Sequence, residues 1–414
     1  MGVVTAPTEP KRTTLTPHTA DHTDVRATNL AAVLGFLRAN APCSRAAIAS
    51  GTGLNKATVT SIVGELIAQR LARETEQTQN HVGRPATLLV LDGSAYAAIG
   101  MEVGVRGLTA IAYDSAGGQL LRWHRSGPGP EASPAKTIAA LAALARRAIS
   151  AVHSSGRDVL GLTVGAPGLI DHDGSVVLAA GLGWRDVPLR SDLIAALGRP
   201  AFPVMVDNDA NLGALAEHRY GDHAGTADLI QLSGETGVGA GVICDGRPLR
   251  GHHGYVGEIG HLRIQPDGPV CGCGRRGCLE AVAGMPAILA RLEPADAPET
   301  DPQLRTEQLV RRAEEGDTAT LKALAEVGGL LGRGISVLVD LLDPELVVLG
   351  GSYAGLGRWL VPAIEQELAD GALVTVSGRC RVVVSTFGHD ATSIGAVARS
   401  LDRLDSGRLP IPTL

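Results

Sequence analysis

The first clear pattern in the chain is the helical spacing of RATNLAAVLGFLRANAP, where Leu30, Val33, Leu34 and Leu37 fall on one face and Pro42 ends the run. Residues 1–24 ahead of it are rich in Thr, Pro and His without apolar periodicity, which predicts a disordered arm. A short second helix follows in SRAAIASGTGL, with Ser44 placed to cap its start and Gly51 and Gly53 to stop it. NKATVTSIVGELIAQRL resumes the spacing at Val59, Ile62, Val63, Leu66 and Ile67, with Asn55 placed as its N-cap. The period then changes. LARETEQTQNHVGRPATLLVL predicts two strands around a polar loop that carries Gly83-Arg84-Pro85.

From about Tyr96 strands and helices alternate. AAIGMEVGVRGLTAIAYD predicts two strands around a turn, and KTIAALAALARRAISAVHSSG a long Ala-rich helix. VLGLTVGAPG, PVMVDND, DLIQLSGETGVGAGVIC and PELVVLGG supply further strands, and GRGISVLVDLL a buried helix ahead of the last of them. Strands that end in Gly-rich or acidic turns and are separated by helices imply α/β layering with a cleft at the strand ends. The Gly-rich strand turns near residues 100 and 237 suggest a duplicated α/β half.

Composition narrows the class. At 414 residues, 44% hydrophobic and 19% charged, the chain is long enough for several domains and has the balance of a folded soluble protein. Only 3% of it is aromatic, which argues against stacking platforms for single-stranded nucleic acid. It lacks a hydrophobic leader and any apolar run of about 20 residues, so the expected location is cytoplasmic, with no membrane contact. The net charge of −6 is uneven: residues 1–90 hold nine Lys/Arg against six Asp/Glu, and the rest 28 against 37. A basic front on an acidic body places any nucleic-acid contact at the N-terminus.

That charge changes the meaning of the first three helices. Two helices joined by a tight Gly-containing turn, with a hairpin after them, are the pattern of a winged helix-turn-helix. The short polar side chains Asn55, Lys56, Thr58, Thr60 and Ser61 on the third helix suit base edges and phosphates in a major groove. Arg84, in an extended Gly-Arg-Pro, suits a narrow and electronegative minor groove. Small helical hairpins with a merely solvated outer face are the plainer alternative for each helix alone.

The densest chemistry lies at CGCGRRGC. Cys271, Cys273 and Cys278, with His261 ten residues before the first, form a Cys3His set that suits tetrahedral Zn²⁺. Four protein ligands leave no open position, which makes the metal structural. Cys43, Cys244 and Cys380 stand apart and are expected to be small buried hydrophobes.

Glu258-Ile-Gly-His261 followed by C-x-C-G-x-x-G-C-x-E resembles the signature of the ROK family, which unites sugar kinases and sugar-responsive repressors. The likeness runs from about residue 95 to 400, and the helices and Gly-Arg-Pro ahead of it are similar to the repressor branch. The resemblance implies a winged helix-turn-helix followed by a two-lobed, actin-like (ribonuclease H-like) sugar-kinase fold, with sugar held between the lobes. It places a DNA-binding domain at 25–92, a first lobe at 95–208 with a C-terminal helix about 391–405, and a second lobe with the metal motif at 209–390. Gly165-Ala166-Pro167-Gly168 resembles the turn lining the sugar pocket, and Asn208-Asp209 the pair that holds sugar hydroxyls. Asp209 stands where the kinases keep their general base, and could instead serve only as a helix cap before ANLGALAEH. Glu258, His261 and Glu280 match the family's sugar-side acids and histidine.

The phosphate loops depart from the kinase pattern. Where kinases read Asp-x-Gly-Gly-Thr, this chain has Glu102-Val103-Gly104-Val105-Arg106. Where they read Gly-Thr-Gly-x-Gly-Gly-Gly, it has Glu235 in place of the first glycine, a negative charge beside the place of a polyphosphate. Gly350-Gly351 is kept where kinases approach adenosine. ATP binding and catalysis are therefore not expected, and Asp209 is a vestigial base. The resemblance implies a repressor of carbohydrate genes that binds double-stranded operator DNA as a homodimer or homotetramer and is released by a sugar. An active sugar kinase with an appended DNA-binding domain, and a regulator that answers to a protein partner, remain the alternatives.

Overall fold

The computed structural model describes residues 22–78, 87–104, 107–129, 132–235, 237–292, 302–371 and 380–408. They divide into two compact units, one of the described residues in 22–65, 74–90 and 403–408, the other of the described residues in 66–73 and 91–402.

The first unit carries the helices His22–Asn40, Arg45–Thr52 and most of Lys56–Ala68. Leu30, Val33, Leu34 and Leu37 are buried with Ile48, Val59, Ile62 and Val63, so the apolar stripes of the three helices form its core. Ser44 caps the second helix by accepting the Ala47 N–H at 3.2 Å, and Gly53 ends it with φ +72. Asn55 caps the third by accepting the Thr58 N–H at 2.8 Å. Strands Ala72–Thr78 and Thr87–Leu91 are neighbours in one sheet, and Cys43–Ser44 adds a third strand, antiparallel to Thr87–Leu91, that hydropathy does not announce. The loop at 79–86, with Arg84, lies outside the described residues. Residues 22–24, expected in the arm, instead form the first helical turn, with the Asp24 carbonyl accepting the Thr28 hydroxyl at 2.9 Å. Arg38 pairs with Asp405, the last residue of helix Ala391–Asp405, at 2.8 Å.

The second unit holds two five-stranded sheets of one topology. The first runs Val204–Asn208, Asp158–Ala166, Tyr96–Val103, Gly107–Asp114, Gln119–Ser126. The second runs Arg381–Val384, Leu346–Gly351, Leu229–Gly234, Val238–Cys244, Arg247–Pro248. In each, an antiparallel three-strand meander is extended by two parallel strands, as a duplicated half requires. Each sheet has its own apolar core. Helix Pro134–Ser154, capped by Ser133, covers the first through Leu141, Leu144, Ala148 and Val152. Helices Thr318–Leu342 and Ser352–Gly371 cover the second. The end of Thr318–Leu342, expected to be buried, emerges instead, with Leu341 73% exposed. Cys244 is likewise exposed where its strand ends in a turn, and Cys380 is half-buried, so of the three isolated cysteines Cys43 is the fully buried one. Among the described residues no helix is long and apolar enough to cross a membrane.

Two helices exchange halves. Asp209–Tyr220 leaves the first sheet and lies on the second, where the Gly241 α-carbon abuts the Ala210 carbonyl. Ala391–Asp405 leaves the second sheet and lies on the first, with Ser400 Oγ 2.8 Å from Thr163 Oγ1 and donating to the Ile99 carbonyl at 3.3 Å. The two helices meet where Gly395 touches the Leu212 carbonyl, so close that a Cβ would collide with backbone. Gly395→Val should therefore destabilise this unit by about 1–3 kcal/mol through overpacking. Gly329→Ala, in a helix interior with space for a methyl group, should gain about 0.5–1 kcal/mol. Urea unfolding of both variants checks this, and equal stability of the two would contradict the close crossing.

Candidate functional site

The carboxyl ends of the first sheet converge on one place. Glu102, Gly165 and Asp207 form a rung across three strands. Beyond it the chain turns at Pro167-Gly168, where Gly168 has φ +88 and lies under the Leu178 carbonyl, a position with neither space nor backbone freedom for a side chain. Asn208 Nδ2 donates to the Gly168 carbonyl at 3.0 Å, and its Oδ1 accepts the Asn211 N–H at 3.0 Å. Asn208, in extended conformation with φ −66 and ψ 141, is thus the N-cap, so the alternative in which Asp209 is only the helix cap falls away. Asp209 is the first helical residue, and its Oδ1 accepts the adjacent Ala210 N–H at 2.8 Å.

The second half supplies the facing groups. The segment Gly257–Gly260 lies against the glycine-rich strand Val238–Cys244, with the Ala240 N–H donating to the Gly257 carbonyl at 3.1 Å. That contact fixes Glu258, whose Oε2 lies 3.9 Å from His261 Nε2. Glu280, at the start of helix Leu279–Ala283, accepts the Val238 N–H at 3.3 Å through Oε2, and its Oε1 accepts the Cys271 thiol at 3.7 Å.

These acids feel one another. Burial pushes the Asp209 carboxyl up to about 7 against the Ala210 N–H that holds it down, and the charges of Glu235 and Glu258 add to the rise. Burial, then Glu235 and Asp209, also hold Glu102 well above the usual carboxylate range, although the Ser393 hydroxyl donates to it at 3.3 Å. Glu258 is raised by burial and by Glu280, and lowered by His261. Such a cluster is electrostatically hostile to another anion and well supplied with acceptors for hydroxyl groups.

His261, Cys271, Cys273 and Cys278 bring their ligand atoms within 4.8 Å of one another. Cys273 Sγ to Cys278 Sγ and Cys271 Sγ to His261 Nδ1 are both 3.7 Å. A tetrahedral zinc with Zn–S of about 2.3 Å has edges of about 3.8 Å, so the four donors fit such an ion. All three thiols are free, and 3.7 Å is far beyond a disulfide bond of about 2.05 Å. Using Nδ1 on this side turns the Nε2 of His261 toward Glu258.

The phosphate-loop position is filled differently. Glu235 Oε1 pairs with His389 Nδ1 at 2.9 Å, and the next residue, Asp390, pairs with Arg122 at 2.8 Å. His389 lines a pocket of about 490 Å³ with Gly351, Gly355, Gly388, Thr306 and Val310.

The structure thus gathers Gly165, Gly168, Asn208 and Asp209 at one set of strand ends, and Glu258, His261 and Glu280 around the cysteine knot, with Asp209 and Glu258 close enough to interact. Asn55, Lys56, Thr58, Thr60 and Ser61 belong to the other unit, all exposed except the half-buried Thr58. Sequence reasoning missed His389 and Ser393, which precede and open a helix without a motif of their own, and the Arg250–Asp207 ion pair.

The ROK family model matches residues 98–402. The chain is 30% identical to the xylose repressor of Bacillus subtilis (strain 168) over 383 residues, 92% of this chain and 97% of that protein. The crystal structure of a ROK family transcriptional regulator, a homologue of the E. coli MLC protein, is similar over 93% of this chain and 98% of that one, at 28% identity and a TM-score of 0.76. A ROK family glucokinase from Streptomyces griseus in complex with glucose and AMPPNP is similar over 73% of this chain and 98% of its own, at 27% identity and a TM-score of 0.60. With a two-sheet unit of this topology, the Glu-x-x-His and cysteine motifs in place and the family model spanning both halves, the chain belongs to the ROK family.

Proposed function

We propose that the protein is a sugar-responsive, DNA-binding transcriptional repressor without kinase activity. The observation that carries this reading is the Glu235–His389 pair, which puts a paired carboxylate where a kinase cradles polyphosphate, while the carboxyl groups that would receive sugar hydroxyls stay clustered. The likeness to a xylose repressor over 92% of the chain, against a likeness to a glucokinase over 73% of it, supports the same side.

In this reading the sugar's hydroxyl groups are held by Asp209, Glu258, His261 Nε2 and the second N–H of Asn208, against the turn Gly165–Gly168, with Glu280 holding the knot to the strand. Carboxylates and amides so placed reject analogues that lack the matching hydroxyl. Zinc, held by His261, Cys271, Cys273 and Cys278, supplies a structural clasp and no open coordination position. The winged helix-turn-helix reads a two-fold operator in a homodimer or homotetramer, Lys56, Thr60 and Ser61 reaching the major groove beside Asn55 and Thr58, and Arg84 the minor groove. Release requires that the sugar prefer the DNA-incompetent state, and coupling of about 1–3 kcal/mol is typical.

Calorimetry with a panel of monosaccharides tests this directly: one class should bind, without sugar-dependent ADP release in an ATPase assay. Robust turnover abolished by Asp209→Asn would make the protein a kinase instead. Cys273→Ser should lower zinc affinity by at least about ten-fold, the least that loss of even an outer partner costs, and lose sugar binding with it. Zinc content by mass spectrometry beside calorimetry reads both, and an intact sugar response without zinc would refute the clasp.

The raised Asp209 carboxyl has a sign that can be checked. Because its folded pKa of about 7 exceeds the unfolded value of about 3.9, the folded protein loses stability as pH rises between them. Asp209→Asn should therefore flatten the fall in melting temperature between pH 5 and 8. An unchanged slope would show that Asp209 ionises freely.

A further inference from the structure

The segment that leads from the second sheet to Glu258 is tied to the first half at three points. Arg250, two residues beyond the edge strand Arg247–Pro248, donates through Nη1 to Asp207 Oδ1 at 2.6 Å and through Nη2 to Asp207 Oδ2, a bidentate fork. His172 Nε2, in the turn of the hairpin that follows Gly168, lies 3.0 Å from the His252 carbonyl. Gly254, with φ +91, packs its α-carbon against the Ile170 carbonyl.

The ion pair joins edge to edge. Asp207 lies on the outer strand of the first sheet, paired in register with Gly165, and only 3% exposed. Its Oδ1 also accepts the N–H of Asn208, the residue that caps the next helix and holds Gly168. Asp402, the other acid near Arg250, is already held by Arg399 at 2.5 Å and Arg219 at 3.4 Å. Asp207 is thus two residues from Asp209, and Arg250 eight residues from Glu258, so one ion pair links the chain segments bearing both halves of the acid cluster.

We propose that Asp207 and Arg250 are positioning residues, an interlobe latch that holds Asp209 and Glu258 at the separation a sugar requires without touching the sugar. This deepens the sugar-site reading and rests on it for its ligand readout. A broken latch lowers the fraction of molecules with the site assembled, and the apparent affinity falls by that same fraction.

The test uses the full-length zinc-loaded protein as Arg250→Lys, which keeps the charge and loses the fork, as Asp207→Asn, and as the double swap Asp207→Arg with Arg250→Asp. Hydrogen exchange reads the latch itself: both single variants should speed exchange at 170–174 and at 250–257 together, without loss of zinc. Calorimetry with the sugars that wild type binds reads its consequence: about ten-fold weaker binding in the single variants, as for a competent fraction of one in ten, and at least partial recovery in the swap. Unchanged exchange in both segments, or sugar affinity within two-fold of wild type in both single variants, overturns the latch. If wild type binds no sugar while the exchange still rises, the latch stands and the effector reading falls.

Discussion

Four carboxyl groups, Glu102, Asp209, Glu235 and Glu258, converge in one partly buried place, and their mutual repulsion decides what that place can hold. Charge that is desolvated and crowded by its own sign is costly, so each acid must be neutralised, paired or offered hydroxyl donors. Glu235 is paired with His389, and Glu102 receives the Ser393 hydroxyl. Glu258, from the opposite half of the fold, acts on Asp209 through its charge, and in the proposed reading a polyol lends hydroxyl donors to both. A polyphosphate would bring more negative charge to the same spot, and the proposed reading without kinase activity rests on that repulsion.

The rest of the unit supports that crowding. The crossed helices Asp209–Tyr220 and Ala391–Asp405, which touch at Gly395, deliver Asp209 and Ser393 to the cluster from the two sheets in turn. On the facing side Glu258 stands immediately ahead of the one-turn 3-10 helix Ile259–His261. It sits on irregular chain clipped to the strand Val238–Cys244, between the Arg250 fork and the His261–cysteine knot. Irregular backbone of that kind holds a geometry only if its ends are fixed, and a tetrahedral ion with four protein ligands is a compact means of doing so.

Much of this was legible in the sequence because it is local. The stripe Leu30–Leu37, the Ser44 and Asn55 caps, and the spacing of Cys271, Cys273, Cys278 and His261 depend on residues within one turn or one short loop, and each lies where its spacing predicts. What escaped is long-range. The strand Cys43–Ser44 is defined by its pairing with Leu88–Leu89, not by hydropathy. His389 meets Glu235 across 154 positions, and Arg250 meets Asp207 across 43, so no periodicity connects them. Asn208 took the capping role that Asp209 could have had because its extended backbone lets its side chain reach forward to the Asn211 N–H, a choice of one residue that propensity does not resolve.

The central claim is that a sugar in the acid cluster changes the protein's grip on DNA. The most direct measurement is fluorescence anisotropy of the labelled duplex upstream of the gene, titrated with the zinc-loaded protein and then with each sugar of the panel. The account predicts that one class of sugar releases the duplex from wild type and fails to release it from Asp209→Asn, which still binds DNA. Tight binding that no sugar relieves, or release that is the same for Asp209→Asn, would contradict it.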